Sequence, residues 1–273
     1  MNSPHDSLLG KTIDYPDRYD PELLFPIARA TQRAAIGVGD PLPFQGVDIW
    51  NAYELSWLDA RGKPEVAIAE FRIPASTPNI VESKSFKLYL GGYNRERIES
   101  SDVLRARLER DLSAATGGAV GVALTTPARF AAIDIEDLAG ESIDALPITI
   151  ESYGPPNADH LAVANADADE TLVSNLLKSN CPVTGQPDWA SVQIRYAGRR
   201  IDREGLLRYL VSFREHADFH EHCVERIYVD LMTRCAPHRL SVYARYTRRG
   251  GLDINPWRSS EPAQAPNTRA ARQ

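Results

Sequence analysis

An α+β fold made of two copies of one unit is predicted by three observations. Alternating runs are arranged as hairpins, helical segments follow each hairpin in pairs, and side chains repeat faintly between the two halves. Each copy is read as an antiparallel sheet with a helix pair on one face.

The first hairpin opens the argument. Val47, Ile49, Tyr53, Leu55 and Trp57 share one face of an extended chain, with Asp48, Glu54 and Ser56 on the other. The turn Arg61-Gly62-Lys63-Pro64 leads into a second strand through Val66, Ile68 and Phe71. Two helices are expected next, over Ser83 to Tyr93 and over Asp102 to Ala115. In the second, Leu104, Leu108 and Leu112 recur every four residues, Ser101 is placed to cap, and Gly117-Gly118 to stop it. Strands are expected to return at Ala119 to Leu124 and at Pro147 to Tyr153.

The segment Gly154 to Glu170 is rich in Pro, Asn, Asp and Ala and reads as a linker. Beyond it the order recurs: strands at Thr171 to Leu177 and Ser191 to Tyr196, helices at Asp202 to Phe213 and Phe219 to Thr233, then an alternating strand Leu240 to Tyr246. Tyr89-Leu90 followed by Tyr93 aligns with Tyr209-Leu210 followed by Phe213. Arg107, Asp111 and Leu112 align with Arg226, Asp230 and Leu231. The expected organisation is a first module over 1–153, a linker over 154–170 and a second module over 171–273.

Composition narrows the function. Hydrophobic residues at 43% and charged residues at 25% of 273 suit a globular protein with a sizeable core. A net charge of -6 argues against a general nucleic-acid binder. Met1 to Gly10 lacks the pattern of a signal peptide, and no run reaches the length of a membrane span. Cys181, Cys223 and Cys235 are odd in number and lack C-x-x-C spacing, so a cytoplasmic protein with at least one free thiol is expected.

Phosphate-loop readings fail. Gly10-Lys11-Thr12 has His5 where the earlier glycine is needed, and Gly117-Gly118-x-x-Gly121 leads from helix to strand, the wrong order for a dinucleotide fold. Cys181, in Lys178-Ser179-Asn180-Cys181-Pro182-Val183-Thr184, is expected in a partly exposed loop with Asp188 seven residues on. A nucleophile with a proton donor or base is one reading, a small buried hydrophobe the other. Asp218-Phe219-His220-Glu221 has capping-box spacing, which would occupy Glu221 at the helix start. His216, His220 and Cys223 would share one face of a continuous helix and suit zinc, although Ala217-Asp218 looks like a break. Arg245, Arg248, Arg249 and Arg258 surround Gly250-Gly251 and suit phosphate, or else form a solvated strand end. Glu82-Ser83-Lys84-Ser85-Phe86-Lys87-Leu88-Tyr89 reads as a strand-to-helix junction whose carboxylate suits a purine-like ring, or as an amphipathic start with snorkelling lysines.

Taken together, Glu82 to Tyr89, Lys178 to Trp189, Phe219-His220-Glu221 and the run Tyr246 to Trp257 resemble the motifs of the 7-cyano-7-deazaguanine reductases in their long, two-module form. The resemblance covers nearly the whole chain. It implies a tunnel fold (T-fold), in which ββααββ modules associate into a barrel, and a homodimer is the expected assembly. It also implies NADPH as cofactor and no metal. Cys181 would add to the nitrile carbon of 7-cyano-7-deazaguanine to give a covalent thioimide, with Asp188 as proton donor. Val81, Glu82, Ser83, His220 and Glu221 would bind substrate, and Ser83, Lys84, Arg249 and Gly250 would contact NADPH. Cys223 and Cys235 receive no role. A zinc-dependent tunnel-fold enzyme of purines or pterins, or a purine-binding module without catalysis, is the alternative.

Overall fold

The computed structural model describes residues 18–273; Met1 to Gly10 and the Gly10-Lys11-Thr12 run lie outside the described residues. In chain order the elements are β1 (Pro26–Ala28), α1 (Ala30–Ala35), β2 (Gln45–Leu58), β3 (Pro64–Pro74), β4 (Asn79–Val81), α2 (Ser83–Gly91), α3 (Ser101–Thr116) and β5 (Gly121–Thr125). They continue with β6 (Glu141–Ser142), β7 (Val163–Asn180), β8 (Pro187–Ile201), α4 (Arg203–Val211), α5 (His220–Cys235), β9 (Arg239–Tyr246) and β10 (Leu252–Ser259). This is a mixed α+β chain that divides into two compact units. The first holds residues up to Thr31, Asp48–Asp134 and Arg248–Ile254; the second holds Gln32–Val47, Ile135–Thr247 and Asn255–Gln273.

In the first unit, β3 lies between β2 and β5, and the strand that follows the helices pairs antiparallel with the second strand, Ile68 opposite Thr125 and Phe71 opposite Val122. The β2–β3 turn forms because the Asp59 carboxylate accepts the amides of Arg61 and Lys63. Helix α3 starts where the Ser100 hydroxyl accepts the Val103 amide, so the cap stands one residue before the expected Ser101. It ends at Gly117, whose φ of 76° is the left-handed conformation that a side chain disfavours. Leu104, Leu108 and Leu112 are fully buried, and they meet Trp50, Phe71, Phe86 and Tyr89 in one core between sheet and helices.

The second unit repeats that order. Its sheet runs β10-β9-β8-β7-β6, and β9, the strand after the helices, again pairs antiparallel with the second strand, Ile194 opposite Val242. Asp202 caps α4 through the Gly205 amide. Val192, Ile194, Leu206, Tyr209, Phe213, Val224, Ile227, Leu231 and Val242 are buried. The repeat residues take equivalent places. Tyr89 donates to Asp111 at 2.7 Å and Tyr209 to Asp230 at 2.6 Å. Each tyrosine packs edge-on against the aromatic four residues later, Tyr93 or Phe213.

Two expected elements differ. Pro147 to Tyr153 is not a strand: its residues are exposed or half-buried, and the Ile148 amide donates to the nearby Leu146 carbonyl. Strand β7 starts at Val163, within the expected linker, because Asp167 to Glu170 pair with Tyr196 to Arg199 as a long, solvent-facing hairpin arm.

Candidate functional site

The β7–β8 hairpin builds the first cluster, in the second unit. Ser179 pairs with Asp188 and Asn180 with Pro187, so the register sets Asp188 beside the tip that carries Cys181. The tip closes on itself: the Cys181 amide donates to the Gln186 carbonyl at 2.9 Å and Gly185 to the Cys181 carbonyl at 3.0 Å. Asn180 is clamped as well, donating to the His216 carbonyl at 2.8 Å and accepting the Asp218 amide at 3.1 Å. The tip is partly exposed as expected, with Thr184 to Pro187 at the surface, but Cys181 itself is buried at 4% exposed. Asp188 and Glu221, in the same unit, are buried as well.

His220, the first residue of α5, sets its Nε2 3.4 Å from Asp188 Oδ2. Its ring lies flat on Tyr246, with centroids 3.7 Å apart and 2° between planes. Its Nδ1 is buried without a hydrogen-bond partner, which leaves a polar atom for a ligand to meet. The sequence singled out His220 but not Tyr246; the contact joins residues 26 positions apart, beyond any local pattern.

The capping-box reading is corrected. The N-cap is Phe219, which makes no side-chain capping bond, and the Asp218 amide donates to the Asn180 carbonyl. Asp218 instead accepts from its neighbour's amide and faces two imidazoles, His222 at 3.2 Å and His216 at 3.6 Å. Burial alone would raise this carboxyl, but the hydrogen bonds from His216 and His222 hold it well below the usual range. The zinc face is also corrected: His216 precedes the helix, so it does not share a helical stripe with His220 and Cys223. Burial pushes the Cys223 thiol far up and the Cys235 thiol up to about 11. Both stay protonated at neutral pH and are poor nucleophiles.

The second cluster belongs to the first unit. Strand β4 ends at Val81, and Glu82 caps α2, its two carboxylate oxygens accepting the amides of Lys84 at 2.6 Å and Ser85 at 2.8 Å. Ser85 fixes the junction, donating to the Glu82 carbonyl and accepting the Phe25 amide. Val81 and Glu82 are buried, whereas Ser83 and Lys84 are half-buried. Burial raises the Glu82 carboxyl despite the helix amides that oppose it.

The Arg249-Gly250-Gly251-Leu252 turn closes through reciprocal backbone bonds between Arg249 and Leu252. A cavity of about 110 Å³ lies beside it, lined by Glu54, Lys87, Asn94, Gly250 and Gly251 among others. A Cβ at Gly250 would stand 2.8 Å from Lys87 Nζ. Bare glycine backbone next to a lysine ammonium suits a phosphate-bearing cofactor, with Glu54 as the one carboxylate in the lining. The four-arginine cluster does not survive. Arg258 is fully buried against Glu225 at 2.8 Å, and Arg245 is bonded to Gln273, Tyr243 and Asn267. Both are buried within their strands, leaving Arg248 and Arg249 at the turn.

Thus Cys181, Asp188, His220 and Glu221 are gathered in one unit; Val81, Glu82, Ser83, Lys84, Arg249 and Gly250 belong to the other.

The sequence is similar to known proteins over nearly its whole length. The family model described as nitrile reductase, 7-cyano-7-deazaguanine-reductase N-term, matches residues 15–124, and that of QueF-like proteins matches 187–265. The NADPH-dependent 7-cyano-7-deazaguanine reductase of Chromobacterium violaceum is 60% identical over 273 residues, covering 99% of this chain and 98% of that protein. That of Bordetella pertussis is 60% identical over 266 residues, 97% of each chain. That of Stenotrophomonas maltophilia is 59% identical over 268 residues, again 97% of each.

Proposed function

The chain belongs to the NADPH-dependent 7-cyano-7-deazaguanine reductases, the QueF family, and from that membership we propose how its residues divide the work. The activity is reduction of the nitrile of 7-cyano-7-deazaguanine to the aminomethyl group, in queuosine biosynthesis, with NADPH as reductant.

Cys181 is the nucleophile. Its thiolate adds to the nitrile carbon, one C–N π bond breaks, and the nitrogen takes a proton from Asp188, leaving a neutral thioimide on sulfur. The observation that carries this is the hairpin tip, where register sets Asp188 beside Cys181 and His220 stands 3.4 Å from the Asp188 carboxylate. Burial of Cys181 and Asp188 supports the reading further, because an imine-level intermediate must be kept from water. Glu221 and Glu82 are each a carboxylate acceptor for the donors of the deazaguanine edge, N1–H and the exocyclic amine. Val81, Ser83 and His220 complete the substrate contacts. A Glu82 carboxylate already held by two helix amides is a rigid acceptor.

NADPH would supply one hydride per molecule bound, so the nitrile-to-amine reduction would use two NADPH in succession. Ser83, Lys84, Arg249 and Gly250 would hold it, and the close approach of the Lys87 ammonium to the Gly250 backbone supports that assignment. The recurring ββααβ order supports the tunnel fold, and since that fold closes by association of such units, a homodimer is the proposed assembly. Among the described residues no helix is long and apolar enough to cross a membrane. Three free cysteines support a cytoplasmic location.

The test is intact-protein mass after mixing wild type and Cys181→Ala with 7-cyano-7-deazaguanine without NADPH. A gain of one substrate mass is expected only where Cys181 is present, discharged on adding NADPH. A folded wild type that gains no mass, or a Cys181→Ala variant that gains it, rejects the assignment.

A further inference from the structure

The stack of His220 on Tyr246 is the tightest and flattest ring pair among the described residues, at 3.7 Å and 2°. An imidazole so placed has one rotational freedom removed: its ring plane is set by the phenol beneath it. The edge that remains directed is Nε2, which meets Asp188.

Tyr246 is itself locked. Its amide donates to Asn255 Oδ1 at 3.1 Å, and its carbonyl accepts Gln273 Nε2 at 2.9 Å. Gln273 Nε2 also donates to Asn255 Oδ1 at 2.8 Å, which closes the three residues into a ring of hydrogen bonds. The other end of the Gln273 amide accepts from Arg245 Nε at 2.9 Å and from the Ala270 amide at 3.0 Å. All four hydrogen-bonding positions of this side chain are therefore used, at a residue 6% exposed. Register opposes Tyr246 to Ala190, two residues from Asp188 on β8, so Asp188 and the Tyr246 ring lie on the same face of the sheet.

We propose that Tyr246 is a positioning residue, the shelf that fixes the His220 imidazole edge-on to Asp188, and that Asn255 and Gln273 lock the shelf in place. The inference rests on the reading of Cys181 and Asp188 given above. No proton passes through Tyr246. The phenol ring is what the arrangement uses, so a phenyl ring suffices.

The experiment follows the rate of substrate adduct formation on the full chain by intact mass, without NADPH, across nitrile concentrations. Tyr246→Phe keeps the ring and is expected within about threefold of wild type, whereas Tyr246→Leu removes the plane and slows the saturated rate roughly tenfold to hundredfold, the cost of small misplacement at a reacting centre. The half-saturating nitrile concentration moves little, which separates positioning from loss of the pocket. Gln273→Glu keeps the acceptor for Arg245 but sets an acceptor against the Tyr246 carbonyl, and it is expected to slow the saturated rate as well. A folded Tyr246→Leu with the wild-type rate overturns the proposal, as does a Tyr246→Phe as slow as Tyr246→Leu. If Tyr246→Leu does not fold, a wild-type rate in Gln273→Glu overturns it. A wild type that forms no adduct rejects the nucleophile assignment first, and this inference with it.

Discussion

Tyr209 donates its buried hydroxyl to the Asp230 carboxylate at 2.6 Å. The same bond joins Tyr89 to Asp111 in the other unit, where Asp111 accepts two further groups, the Tyr19 hydroxyl at 2.6 Å and Arg110 at 2.9 Å. Two copies of one helix-pair contact have therefore been satisfied differently, and the difference sets their energetic weight.

Tyr209→Phe leaves the half-buried Asp230 without its hydroxyl donor, and it is expected to cost about 1–3 kcal/mol. Tyr89→Phe leaves Asp111 with Tyr19 and Arg110 and is expected to cost about 1 kcal/mol. Urea unfolding of the two variants checks the order; an equal or reversed ranking would show that the repeat hides no such asymmetry.

Much of this architecture was legible because it is local. Alternation along β2 and the four-residue leucine spacing of α3 report a buried face directly, and the Asp59 turn and Gly117 stop are written in adjacent residues. Pro147 to Tyr153 also alternates, but alternation reports only a half-buried extended chain; it does not say whether a neighbouring strand accepts the ladder. The Arg258 guanidinium looked like a phosphate ligand because Glu225, its partner, lies 33 residues away. The motif positions Cys181, Asp188 and His220 could be named from sequence, whereas Tyr246 beneath His220 emerges only from the pairing of distant segments; Asp218 between two histidines was missed although the three residues are local. One signal was present: the spacing His216, Asp218, His222 sets a carboxylate between two imidazoles.

Glu225 is fully buried and accepts from Arg33 at 2.7 and 2.9 Å and from Arg258 at 2.8 and 3.1 Å. Glu225→Gln removes the charge that both guanidiniums share, and breaking such a buried pair costs about 3–5 kcal/mol. Denaturant midpoints of wild type and variant provide the measurement. A variant as stable as wild type would mean that the two arginines are balanced elsewhere.

Asp218 links acid stability to the helix start. Its folded value lies below the ordinary carboxyl value of 3.8, so it contributes stability that is whole well above 3.8 and is lost as pH falls through the lowered value. Asp218→Asn should therefore melt lower than wild type at neutral pH, and the gap should narrow at about pH 3. Thermal unfolding at the two pH values checks this; a gap that widens in acid would contradict the assigned sign.

Gly250 offers a way to separate cofactor binding from the first chemical step. Its φ of 61° is a conformation that a Cβ disfavours by about 1–2 kcal/mol. The added methyl of Gly250→Ala would also press on Lys87 Nζ, 2.8 Å away. Lys87 is the flexible end of a long side chain and can move aside, so the chain should still fold. Moving it displaces the ammonium from the turn, which weakens whatever phosphate the turn holds. Gly250→Ala is thus expected to bind NADPH more weakly in a direct titration while Cys181 takes up the nitrile substrate at the wild-type rate without NADPH. Unchanged NADPH affinity would remove the turn from the cofactor site; a slowed adduct with unchanged affinity would assign the turn to the substrate instead.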